Sequence, residues 1–176
     1  MSKSVTDHKT TAPTRLKFAI LTVSTSRYQR MRAGIKVENP SGEIIARLLE
    51  EDGHEIAYDE IISDDRRLIR ETLERIVKMP EVESVITCGG TGITKTDITV
   101  ETVDSMLDKE MPGFGELFRK LSYDEIGSAV IITRAEAGLI NGKPIFCLPG
   151  SPQAVELALK KLILPEVGHI VKHARE

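Results

Sequence analysis

This sequence predicts an α/β fold: a three-layer sandwich with a mainly parallel sheet and a short antiparallel hairpin. Three observations carry the prediction. Short apolar runs at Lys17–Val23, 54–62 and Ser84–Cys88 alternate with segments whose apolar residues recur at helical spacing. Asn141-Gly142 stands between two further apolar runs, and that pair favours the tight turn of a hairpin. With 176 residues the chain suits one domain large enough to bury about two-thirds of its unfolded surface.

Taken in order, residues 1–15 are polar, rich in Ser, Thr and Lys, and carry Pro13. They read as a flexible N-terminal tail, leaving 16–176 as a single domain. Lys17–Val23 is the first strand. Residues 24–40 follow as a long polar connection whose Arg27, Arg30, Arg32 and Lys36 read as a solvated loop rather than a flap over polyphosphate. Ser41 is placed to cap a helix over 41–51, with Ile44, Ile45, Leu48 and Leu49 on one face and Gly53 as its stop.

Residues 54–62 form the second strand. Asp64 or Asp65 caps the next helix, in which Leu68, Ile69, Leu73, Ile76 and Val77 keep helical spacing. Ser84–Cys88 is the third strand; a glycine loop and a helix over 99–107 follow it. Phe114, Leu117, Phe118 and Leu121 mark a helix over 114–126. The hairpin pairs 128–137 with Lys143–Leu148. Ser151-Pro152 supplies an N-cap and a first-turn proline to the final helix, which breaks near Pro165 and resumes toward His173.

Composition narrows the function classes. Hydrophobic residues make up 40% and charged residues 29%, the balance of a globular protein. A net charge of −3 gives no electrostatic reason to expect nucleic acid or an anionic membrane as partner. No apolar run approaches the roughly 20 residues of a membrane span. The N-terminus lacks the apolar core of a signal peptide, so the expected compartment is the cytoplasm. Cys88 and Cys147 read as buried core thiols. His169 and His173 have a metal-compatible i, i+4 spacing but no third ligand in view.

The chemistry concentrates on Ser84-Val-Ile-Thr-Cys-Gly-Gly-Thr-Gly-Ile-Thr-Lys-Thr-Asp97. Glycines in such a turn can take positive φ and approach a ligand closely. Consecutive backbone N–H groups, with a helix N-terminus behind them, make an anion cradle. An acid five residues past the last glycine suggests a metal between carboxylate and phosphate. Asp64, in the loop after the second strand, is the natural second carboxylate. Thr94 argues against a Walker A loop: Lys95-Thr96 is correctly spaced from Gly89, but Thr94 occupies the place of the glycine before the lysine. In a parallel sheet, ligands gather outside the carboxyl ends of the strands. Ser24 and Ser26, Asp64, Gly89 to Gly92, and Pro149-Gly150-Ser151 all fall there.

Gly89, Gly90, Thr91, Gly92 and Asp97 resemble the signature of the MoaB/MogA family of molybdenum cofactor biosynthesis proteins. Cys88 departs from it, since a hydroxyl residue is usual at that place. The resemblance recurs in 110–115, in 121–127 and in 148–152, covers the chain from about Lys17 onward, and is stronger to the MoaB branch. It implies adenylyl transfer from Mg-ATP to molybdopterin, with ATP and molybdopterin as substrates and Asp64 and Asp97 as catalytic acids holding Mg2+. It also implies that Pro112, Gly113, Phe114 and Gly115 help form the pterin pocket, and that the chain assembles as a homotrimer or homohexamer. A pterin-binding module or carrier without turnover is the alternative within the same pathway. A P-loop-like hydrolase is disfavoured by Thr94.

Overall fold

The computed structural model describes residues 12–176. Its sheet contains β1 (Lys17–Val23), β2 (Glu55–Ile62), β3 (Ser84–Cys88), β4 (Lys109–Glu110), β5 (Glu136–Ile140) and β6 (Lys143–Leu148). The spatial order is β2-β1-β3-β6-β5-β4. β2, β1, β3 and β6 run parallel, while β5 is antiparallel to both β6 and β4. The expected mainly parallel sheet with one antiparallel hairpin is therefore what the chain adopts. Its turn is of the expected kind, with Asn141 at φ 52° and Gly142 at φ 70°.

Alternation along β1 explains the three layers. Phe18 and Ile20 point to one face, where they join Ile86, Phe146 and Leu148 under α2 (Pro40–Glu51), α5 (Pro112–Ile126) and α6 (Pro152–Ala158). Ala19, Leu21 and Val23 point to the other, with Val85, Ile145 and Cys147 under α3 (Arg66–Ile76) and α4 (Thr99–Asp104). A sheet covered on both faces requires strands that are apolar nearly throughout. Burial pushes the Cys88 thiol up to about 11 and the Cys147 thiol up to about 12, so both remain protonated core residues.

The expected tail over 1–15 lies outside the described residues through residue 11; beyond that, Arg15 pairs with Glu55 at 2.5 Å. Several other local expectations are corrected. The polar connection over 24–40 contains a helix, α1 (Thr25–Arg32), none of whose residues is buried. Its lack of an apolar stripe hid it from periodicity. Asn39, not Ser41, caps α2: its Oδ1 accepts from the Gly42 N–H, and Pro40 takes the first helical position. Asp65, not Asp64, caps α3 by accepting from the Leu68 N–H at 2.8 Å.

The first arm of the hairpin is shorter than the β-branched run suggested. Residues Gly127–Ile132 form a 3-10 helix entered through Gly127 at φ 60°, leaving Ile131 and Ile132 exposed. The final helix absorbs Pro165 through a π-helical stretch, Leu159–Ile163, placed just before α7 (Leu164–Ala174). Among the described residues no helix is long and apolar enough to cross a membrane.

Candidate functional site

The strand order reverses between β1 and β3, and the crevice outside their carboxyl ends receives the loops after all four parallel strands. β3 delivers the glycine loop directly into this crevice. Gly89 has φ 99°, and a Cβ there would lie under 3.0 Å from the Val23 carbonyl oxygen at the end of β1. Gly90 has φ 64°, and its Cβ would come under 3.0 Å from both Thr99 Oγ1 and Asp64 Oδ1. Only glycine permits this backbone path at that separation.

The anion cradle is smaller than the sequence suggested. The Gly89 N–H is spent on the Leu148 carbonyl at 3.0 Å, and the Gly90 carbonyl accepts from the Thr99 N–H at 2.9 Å. The N–H groups of Gly90 and Thr91 donate to no protein acceptor among the described residues.

Asp64 is held from the neighbouring loop. Its Oδ2 accepts from the Thr25 N–H at 2.9 Å and from the Thr25 hydroxyl at 3.1 Å; its own N–H donates back to Thr25 Oγ1. Asp64 Oδ1 takes no hydrogen bond among the described residues and faces Gly90. The Thr99 hydroxyl beside it is fully buried and likewise without a partner.

Asp97 belongs to the loop itself. Its Oδ2 accepts from the Thr94 hydroxyl at 2.6 Å and the Thr94 N–H at 3.0 Å, and it lies 2.6 Å from where a Gly92 Cβ would stand. The Thr94 hydroxyl, reinforced by the backbone N–H groups of Thr94 and Gly92, holds this carboxyl below the usual range, so it stays ionised. Thr94 thus serves Asp97. Lys95 is exposed and precedes α4 instead of opening it, which removes the P-loop geometry.

Arg134 was not foreseen. Its Nε donates to the Thr91 carbonyl at 2.9 Å and its Nη2 to the Gly92 carbonyl at 2.6 Å, while Nη1 pairs with Glu101 on α4. The guanidinium holds Glu101 below the ordinary carboxylate range. One side chain therefore clamps the glycine loop from more than forty residues away, with no local pattern to announce it. Thr25 and Thr99 were missed for the same reason.

The remaining predicted residues divide. Gly150 packs against the Gly89 Cα, and its carbonyl accepts from the Ser41 hydroxyl at 2.8 Å. Ser151 caps α6 through the Ala154 N–H, and with Pro149 it lines a cavity of about 210 Å3. The Ser24 N–H donates to the Ile62 carbonyl at 2.8 Å, and the Ser24 and Ser26 hydroxyls lie 3.5 Å apart. Pro112 and Gly115 line another cavity, of about 160 Å3, together with Met111, Arg119 and Glu136. Gly113 does not line it. Phe114 turns inward, its ring 5.3 Å from that of Phe146, so its position is one of packing.

For a divalent cation the donors are hard oxygens: Asp64 with one carboxylate oxygen uncommitted, and Asp97 held ionised. Among the described residues no trio of His, Cys, Asp or Glu forms a resident cage. That donor set fits magnesium arriving with phosphate oxygens and its own waters.

A family model described as a probable molybdopterin binding domain matches residues 19–169. Molybdenum cofactor biosynthesis protein B of Bacillus cereus is 45% identical over 168 residues, covering 95% of each chain. Molybdopterin adenylyltransferase of Pyrococcus furiosus is 42% identical over 176 residues, covering 98% of this chain and 99% of that protein. A crystal structure of molybdenum cofactor biosynthesis protein B superposes with a TM-score of 0.85 at 43% identity, covering 93% of this chain and 98% of that one.

Proposed function

The chain belongs to the molybdopterin-binding family of molybdenum cofactor biosynthesis proteins, and from that membership we propose that it transfers AMP from Mg-ATP to the terminal phosphate of molybdopterin. A phosphate oxygen of the pterin forms a bond to the α-phosphorus of ATP. The bond from that phosphorus to the bridging oxygen breaks, and pyrophosphate leaves with the electron pair. The attacking phosphate is already ionised, so no general base is needed. Catalysis is then mainly alignment and charge neutralisation.

The observation that carries this reading is the flanking of one glycine turn by two carboxylates, Asp64 at Gly90 and Asp97 at Gly92. The Gly90 and Thr91 N–H groups receive phosphate oxygens. Thr25 aims Asp64, Thr94 aims Asp97, and Arg134 fixes the turn between them. Asp64 and Asp97 would hold the magnesium of Mg-ATP, whose charge lowers the repulsion between the two phosphates. Pro112 and Gly115 take part in the pterin pocket by family resemblance, and both line the cavity of about 160 Å3 beside Glu136. Ile131 and Ile132, exposed side by side, are apolar residues that assembly as a homotrimer or homohexamer would cover.

The test is to mix purified protein with molybdopterin and Mg-ATP and to follow adenylated pterin and pyrophosphate together. Both should form, and pyrophosphate release should depend on added pterin. Steady orthophosphate release from ATP alone, without adenylated pterin, would overturn the reading.

A further inference from the structure

The helix α1 contributes nothing to the hydrophobic core. None of its eight residues is buried; its start is held through Thr25 on Asp64 and Ser24 on the Ile62 carbonyl, and Arg27 ties it to the Glu38 carbonyl. It nevertheless opens directly from the candidate site and carries Arg27, Arg30 and Arg32, with Lys36 in the turn beyond.

Three of these cations share one surface depression, Arg27 half-buried and Arg30 and Lys36 exposed at its rim. Arg27, Arg30 and Lys36 line one cavity of about 560 Å3, together with Ser26, Glu38 and Pro40. Arg27 is oriented by its Nε donating to the Glu38 carbonyl at 3.0 Å, which leaves its charge uncompensated there. Arg30 and Lys36 form no ion pair among the described residues. Arg134, by contrast, is committed to Glu101 and to loop carbonyls. Three cations against the one acid of the lining, Glu38, leave the depression net positive, which favours an anion.

We propose that the cavity of Arg27, Arg30 and Lys36 is the subsite for a pyrophosphoryl group, holding the β- and γ-phosphates of ATP and then the departing pyrophosphate. The assignment rests on the adenylyl-transfer reading for its place in the reaction, and on the cavity alone for its ligand chemistry. The division of labour follows from charge. The carboxylate-flanked glycine turn handles the α-phosphate with its magnesium, and the cationic lobe stabilises the negative charge that builds on the leaving group.

The experiment titrates inorganic pyrophosphate, AMP and ATP, each with excess magnesium, into the purified full chain and into Arg30→Gln, Lys36→Gln and Arg32→Gln. Arg32 sits on the same helix but does not line the cavity, so it carries the same charge change as a control. Loss of one charge-assisted contact should weaken pyrophosphate and ATP roughly tenfold in Arg30→Gln and Lys36→Gln. AMP should stay within about twofold in all variants, and Arg32→Gln should match wild type for all three ligands. Unchanged pyrophosphate affinity in both cavity variants overturns the proposal. So does an equal loss of AMP affinity, or an equal effect of Arg32→Gln, because either would mean general attraction of anions. Failure of the wild type to bind pyrophosphate overturns it as well. A wild type that binds pyrophosphate as expected but makes no adenylated pterin would sink the adenylyl-transfer reading and leave the anion site standing.

Discussion

Replacing Gly90 with alanine separates the strain of the glycine turn from its chemistry. At φ 64° an L-residue costs about 1–2 kcal/mol, partly offset by about 0.4–1 kcal/mol from a stiffer unfolded chain. Gly53 calibrates that part: it has φ 87°, and a Cβ placed there would meet nothing within 4 Å. Gly53→Ala should therefore cost about 1 kcal/mol net. At Gly90 the same methyl meets Thr99 Oγ1 and Asp64 Oδ1 under 3.0 Å, and Val23 Cγ1 at 3.2 Å. Asp64 cannot simply rotate away, because Thr25 holds its other oxygen with two hydrogen bonds. Overpacking of this kind adds about 1–3 kcal/mol, for a total of about 2–4 kcal/mol.

Displacing a carboxylate by about 1 Å should lower turnover on the order of a hundredfold. Urea unfolding of both variants measures the first quantity, and pyrophosphate release with molybdopterin measures the second. A Gly90→Ala protein that loses no more stability than Gly53→Ala and keeps near-normal turnover would refute the reasoning about this turn.

Four further outcomes are expected. Asp64→Asn and Asp97→Asn should each reduce turnover by roughly a hundredfold, about 2.7 kcal/mol in barrier, and the double variant should be little worse; undiminished turnover in both singles would make these acids structural. Lys95→Ala should leave Mg-ATP affinity within about threefold, since Lys95 is exposed and outside the cradle; a hundredfold loss by titration would contradict this. Arg134→Ala should raise the KM for ATP roughly tenfold by freeing the Thr91 and Gly92 carbonyls, with amide exchange in 90–97 quickening; unchanged exchange would show that the loop needs no clamp. Burial holds His54 below its ordinary 6.5, with Nδ1 accepting from the Leu16 N–H. The unfolded chain therefore binds the proton more readily, so His54 stabilises the fold fully above about pH 6.5 and that contribution is lost as pH falls below it. Urea midpoints measured from about pH 7.5 down to about 5.5 should drop, and should flatten in His54→Gln.

What could be read from the chain alone was what repeats locally. Lys17–Val23, Ser84–Cys88 and Lys143–Leu148 announce themselves because strands covered on both faces must be apolar along their length. Asn141-Gly142 does so because few residues accept two successive positive φ angles. The glycine turn and its convergence with the loops after the other parallel strands were likewise legible, since strand direction dictates where loops emerge.

Tertiary structure decided matters that no spacing rule reaches. Two adjacent acids, Asp64 and Asp65, are indistinguishable in sequence. One caps α3, while the other is tied to Thr25 across 39 residues and left with an open oxygen beside Gly90. Ser41 looked like a cap, but its hydroxyl serves Gly150 across 109 residues, and Asn39 caps instead. α1 was invisible because periodicity reports only helices that bury a stripe, and this one buries none. Arg134 offered no clue because its partners, the carbonyls of Thr91 and Gly92, are backbone atoms brought near only when β5 takes its place in the sheet. Local sequence encodes hydrogen bonds within a turn or two of the chain, whereas the partners that orient this site come together only through packing of the whole sheet.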